Sequence, residues 1–171
     1  AELLLGGGAD VNIKDGYDAR YYGEPSKAPP LYYATNECSL SMVKLLMKHG
    51  AKINETNQEG RTPLFYAIGC GNEDIVKTLL QAGAELNHAD QEGMTPVMFS
   101  RSPSMLGFLQ KFNPDMHKEA NNHMSILGLF CSFTCNLKMV NKLLKDKIFT
   151  ANDQKIMGEA LVHAAYGPDI E

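Results

Sequence analysis

The chain has 171 residues, 44% of them hydrophobic, with 16 Lys and Arg against 20 Asp and Glu and a formal net charge of −4. That hydrophobic share is ordinary for a folded chain and excludes disorder over most of the length. The negative balance argues against nucleic acid, whose phosphates need clustered Lys and Arg.

No apolar run approaches the length of a membrane span. No signal-peptide pattern stands in these residues, and they hold no phosphate loop, dinucleotide fingerprint, nucleophile elbow or H-E-x-x-H motif. No cofactor is therefore expected, and neither is catalysis. The five histidines show no diagnostic spacing to acids or cysteines, so no metal site is expected either. Cys38, Cys70, Cys131 and Cys135 form no C-x-x-C pair. They read as small buried hydrophobes of a reduced compartment, in preference to a bridge or a metal site. The expected setting is intracellular and cytoplasmic.

In chain order, residues 1–14 (Leu3-Leu4-Leu5, then Gly8-Ala9-Asp10-Val11-Asn12) read as the end of one helix and a following turn. Residues 15–27 carry an insertion: Asn12 to Pro30 spans 18 residues, whereas Asn54 to Pro63 and Asn87 to Pro96 each span nine. It holds Tyr17, Arg20, Tyr21 and Tyr22, residue types that anchor interfaces; packing onto the neighbouring loop is the equal alternative.

Prolines then return every 33 residues, at Pro30, Pro63 and Pro96, each opening a similar run: Pro30-Leu31-Tyr32-Tyr33-Ala34, Pro63-Leu64-Phe65-Tyr66-Ala67 and Pro96-Val97-Met98-Phe99-Ser100. In the clearest copy Thr62 caps a short helix begun by Pro63. Gly71 stops that helix. Ile75, Val76, Leu79 and Leu80 form the apolar face of a second helix. Gly83 ends the second helix, and a finger through Gln91-Glu92-Gly93 leads to the next unit. A fixed period of this size means stacked copies of one helix-turn-helix-finger unit. Such helices are too short to stand alone, so stability lies in the seams between units.

Gly60, Thr62, Pro63, Leu64, Ala67, Gly71, Ile75, Val76, Leu79, Leu80, Gly83, Ala84 and Asn87 together resemble the ankyrin repeat family. The resemblance implies an all-α solenoid with projecting β-hairpin or loop fingers. Its units would be a truncated back half (1–14), the inserted finger (15–27), full repeats (28–56 and 57–89), a shortened repeat (90–119), a degenerate one (120–152) and a partial one (153–171). The shortened repeat loses about four residues around Ser102-Pro103-Ser104. Where the family carries histidine two residues after the proline, this chain has Tyr32, Phe65 and Met98, so apolar packing replaces a polar link. The resemblance also places Tyr33, Tyr66 and Phe99 in the core. Asn12, Asn54 and Asn87 fall where some eukaryotic members are hydroxylated; holding the turn is the preferred reading. Both chain ends fall inside a unit, which reads as a piece of a longer protein.

By the same resemblance the fingers and the first-helix face bind another protein, or another domain of the same longer chain. Exposed candidates are Lys14, Gln58, Glu59, Arg61, Gln91, Glu92 and Met94 on the fingers, Asn36, Glu37 and Cys70 at the far end of the first helices, and the four insertion residues. The alternative is an intramolecular regulatory or spacer segment of a larger enzyme, channel or bacterial effector. No nucleic acid and no membrane insertion are expected, and the chain is expected to be a monomer unless its uncapped ends associate.

Overall fold

The structure is a computed structural model that describes residues 5–14, 27–132 and 137–147. Helix α1 (Pro30–Asn36) and α2 (Leu40–Lys48) form one hairpin, α3 (Pro63–Cys70) and α4 (Glu73–Gln81) the next. A single 3₁₀ turn, Pro96–Phe99, then stands where a first helix is due, followed by α5 (Pro103–Leu109), α6 (Ile126–Ser132) and α7 (Leu137–Lys145). Among the described residues there is no strand, and no helix is long and apolar enough to cross a membrane.

The second helices start on side-chain caps. Asn72 Oδ1 accepts from the backbone N–H of Asp74 (3.0 Å) and Ile75 (3.3 Å), Ser102 Oγ from Met105 (3.2 Å), and Ser39 Oγ from Met42 (3.4 Å). Each satisfies donors that the first turn leaves unpaired. The Thr-Pro openings behave otherwise. Thr62 and Thr95 do not cap with their side chains: both hydroxyls are buried and without a hydrogen-bond partner. Proline starts those helices by fixing φ where no N–H is needed, helped in the second by Met98 Sδ, which accepts from the Thr95 N–H (3.5 Å). The residues two beyond each proline, fully buried Phe65 and buried Met98, supply packing and no partner for the hydroxyl.

One apolar cluster runs through the molecule from Val11 through Leu46, Leu79 and Leu109 to Leu143. Helix α1 packs on α3, α3 on the Pro96–Phe99 turn, and α2 on α4. Burying each leucine contributes roughly 1.5–3 kcal/mol, and the seam is where that burial occurs.

The structure corrects three further sequence expectations. The aromatic ladder is not Tyr33, Tyr66 and Phe99 in the core: Tyr33 is 40% exposed. Ring contacts instead join Tyr32 to Tyr66 (centroids 4.3 Å apart) and Phe65 to Phe99 (5.1 Å). A residue on one first helix thus meets the residue 34 positions on, because neighbouring units are offset along the helix axis. Cys38 and Cys70 are not buried thiols. They form a disulfide with Cα atoms 5.9 Å apart, and Cys38 is exposed. The remaining cysteine pair, Cys131 and Cys135, lies outside the side chains described.

The third correction concerns the shortened unit. Its fingers are tight turns held by backbone bonds at matching positions, among them Asn57 N–H to Arg61 O, Asp90 N–H to Met94 O, and Ala120 N–H to Met124 O. The spacing falls from 33 residues between Asn57 and Asp90 to 30 between Asp90 and Ala120. Three residues are lost, not about four.

Candidate recognition surface

The fingers are zipped edge to edge. Gln91 N–H donates to Glu59 O (3.1 Å) and its side-chain amide to Gln58 O (3.0 Å). One finger on, Asn121 N–H donates to Glu92 O (2.8 Å) and its amide to Gln91 O (2.9 Å). The approach is close enough to require glycine at Gly93 (φ +77°): a Cβ there would lie 2.6 Å from Asn121 Oδ1.

Within each finger an acid or amide side chain organises the turn. Asn57 Oδ1 accepts from Glu59 N–H (3.0 Å) and Arg61 N–H (2.9 Å). Asp90 Oδ1 repeats the pattern with Glu92 and Met94, both at 2.9 Å. The other Asp90 oxygen accepts from Arg61 Nε at 2.8 Å. Arg61 also pairs with Glu59 (2.7 Å) and lies over the Phe99 ring, 4.7 Å from its centroid. Its side chain is only 18% exposed and that of Asp90 1%. Burial works against the guanidinium charge, but the hydrogen bond from Arg61 to Asp90 and the nearby carboxylates outweigh it and raise the Arg61 pKa. Tyr66 completes the cluster, donating to Glu59 Oε2 (3.1 Å) and accepting from Asn57 Nδ2 (3.2 Å). Burial, with Tyr32 alongside, raises its pKa.

Gln58, Glu59, Arg61, Gln91 and Glu92 thus come together around one polar cleft of roughly 200 Å³, with Asp90 at its base. Glu59 and Glu92, each paired with Arg61 (2.7 and 3.9 Å), face solvent, their side chains 54% and 77% exposed. Met94 is half-buried in the turn behind them. Lys14 is not part of this cleft. It fastens the preceding finger, donating to Thr56 O (2.9 Å) and pairing with Glu55 (2.9 Å), and its hydrogen bond holds the Glu55 carboxyl below the usual range. Asn36 and Glu37 are exposed at the opposite end of α1, and Cys70, at the matching end of α3, is half-buried in its disulfide. Tyr17, Arg20, Tyr21 and Tyr22 lie outside the described residues.

Sequence reasoning missed Asn57, Asp90 and Phe99 as the framework of this surface. The signal was the 33-residue return of an amide or acid ahead of each Glu-Gly turn. The recurrent asparagines do hold a turn with their side chains, and the turn that Asn12 and Asn54 hold is the next unit's. Asn54 donates to Gly83 O (3.0 Å) and accepts from Glu85 N–H (3.0 Å); Asn12 does the same with Gly50 (3.2 Å) and Lys52 (2.8 Å). Asn87 Oδ1 likewise accepts from Asp115 N–H (2.8 Å).

A second concavity is apolar and lies at the other end of the stack, lined by residues including Val11, Ile13, Tyr33, Met42 and Leu46. Among the described residues no group of three or more His, Cys, Asp or Glu is placed to hold a metal ion. No curated protein matches the chain. The family model for ankyrin repeats in three copies matches residues 1–90, more than half of the sequence. Stacked helical hairpins, finger turns and this match agree, and the chain belongs to the ankyrin repeat family.

Proposed function

We propose that the chain is a non-catalytic module that recognises a partner protein along the finger edge, with Gln58, Glu59, Arg61, Gln91 and Glu92 as its central contacts. Ankyrin repeats are generally protein–protein interaction modules, which gives the class of function. The observation that carries the finer reading is the Arg61–Asp90 pair: it fixes two fingers against each other beneath the solvent-exposed carboxylates of Glu59 and Glu92. A preorganised edge loses little side-chain entropy when a partner docks. Open rim charges of one sign steer a partner of the opposite sign. Asn36, Glu37 and Cys70, and the insertion with Tyr17, Arg20, Tyr21 and Tyr22, extend the contact beyond the fingers.

The test compares partner capture by the wild type, by Glu59→Lys with Glu92→Lys, and by a chain lacking residues 16–24. Charge reversal should lower capture at least about tenfold, most of it through slower association at low salt, with the helical signal unchanged. Undiminished capture by the charge-reversed chain overturns the finger edge as the contact. Equal capture by the deletion chain and the wild type removes the insertion from it.

A further inference from the structure

The end of the stack opposite the fingers has a fastening of a different chemistry. Cys38 sits in the turn between α1 and α2, and Cys70 is the last residue of α3, so their disulfide joins the inter-helix turns of two adjacent units. At 32 residues, their separation falls one short of the repeat period. Cys38 also holds the left-handed position, φ +53°, that Gly71 takes at φ +81° in the next unit. A side chain there is strained where glycine is not. The cysteine is thus kept at a conformational cost, and what it adds over glycine is a sulfur within reach of Cys70. Cys38 is exposed and Cys70 half-buried, so the bridge is open to solvent along one side.

We propose that Cys38–Cys70 is a reversible thiol–disulfide exchange site, which takes a small thiol or disulfide of the glutathione class and so fastens or frees this seam. To close it, one protein thiolate attacks a sulfur of the small disulfide, forming a mixed disulfide and expelling one small thiolate. The second protein thiolate then attacks the protein sulfur of that intermediate and expels the other. Two protein thiols are oxidised by two electrons, one small disulfide is reduced to two thiols, and the two protons pass to the departing thiolates. Opening is the reverse, beginning with attack on the exposed Cys38 sulfur and release of Cys70 as thiolate. Exposed disulfides are the more readily exchanged ones.

The test equilibrates the folded chain in glutathione buffers of stepped ratio, quenches with an alkylating agent and maps the tryptic peptides. The peptides 28–44 and 62–77 should be linked under oxidising buffer and separately alkylated under reducing buffer. In Cys70→Ser, glutathione should be trapped on peptide 28–44. Opening should lower the melting temperature by roughly 5–15 °C. Cys38→Gly should fold, since glycine suits the backbone there, and should melt at one temperature in both buffers. Free thiols at both positions in every buffer overturn the proposal. Linkage to Cys131 or Cys135 instead overturns it too, as does a redox-dependent melt that survives in Cys38→Gly.

Discussion

Two consecutive units of this solenoid differ in one place. Between Thr62 and Glu73 the chain builds the eight-residue helix α3, ended by Gly71. Between Thr95 and Pro103 it builds only a four-residue 3₁₀ turn, with Ser100 and Ser102 both extended. The three residues lost from this unit explain the difference: Thr62 to the Asn72 cap spans ten residues, Thr95 to the Ser102 cap only seven, which leaves room for one turn. Yet Val97 and Met98 stay buried, as do Met105, Leu106 and Leu109 of the second helix. The seam therefore depends on the second helices and on the first turn after each proline, while the rest of the first helix is dispensable to it.

The largest expected effects test that inference. Leu79→Ala in the full unit and Leu109→Ala in the abridged one should each cost roughly 2–5 kcal/mol in urea unfolding, because both side chains are fully buried in one cluster. A cost below about 1 kcal/mol at Leu109 alone would show that the abridged unit frays independently and that the comparison fails.

A smaller effect separates the fingers. Asn57 and Asp90 each tie down two backbone N–H groups, whereas Ala120, in the third finger, has no side chain able to do so, and Asn122 Oδ1 takes only Met124 N–H (3.1 Å). Asp90→Ala should cost roughly 2–4 kcal/mol, since it also leaves the partly buried Arg61 without its buried carboxylate partner. Ala120→Asn should gain about 0.5–1 kcal/mol by copying the Asn57 turn. Urea midpoints of both variants check the pair, and a loss on Ala120→Asn would mean the third finger is built differently from the other two.

What could be read in the sequence follows the range of the interaction. Proline starts, glycine stops and the Ile75-Val76-Leu79 stripe are set by neighbours within one or two helical turns, and they stand where periodicity put them. The contacts that build the surface span a unit: Arg61 to Asp90 is 29 residues, Asn54 to Glu85 is 31, and Cys38 to Cys70 is 32. These three separations differ from the period, so aligning repeats against one another finds Gln58 with Gln91, 33 residues apart, but misses them. In the helices the offset has the other sign: Tyr32 meets Tyr66 at 34 residues, one beyond the period, where alignment pairs Tyr33 with it.

Tyr66 gives the finest test, because it distinguishes the finger cluster from an ordinary exposed turn by pH alone. Its phenol is half-buried, donates to Glu59 and accepts from Asn57. Burial, with Tyr32 alongside, raises its pKa above the usual tyrosine value of about 10. An acid whose pKa is higher folded than unfolded binds its proton more tightly in the native state. Its contribution is complete below about pH 10 and is lost as pH rises toward the raised folded value, by at most roughly 1.4 kcal/mol per pH unit. Replacing the hydroxyl should cost about 0.5–1.5 kcal/mol at neutral pH. The variant Tyr66→Phe should then show a flatter alkaline limb than the wild type, so the two urea midpoints converge between pH 10 and 11. Parallel limbs would mean that the phenol is solvated in the native state and that the Asn57–Tyr66–Glu59 bonds contribute nothing to holding the finger.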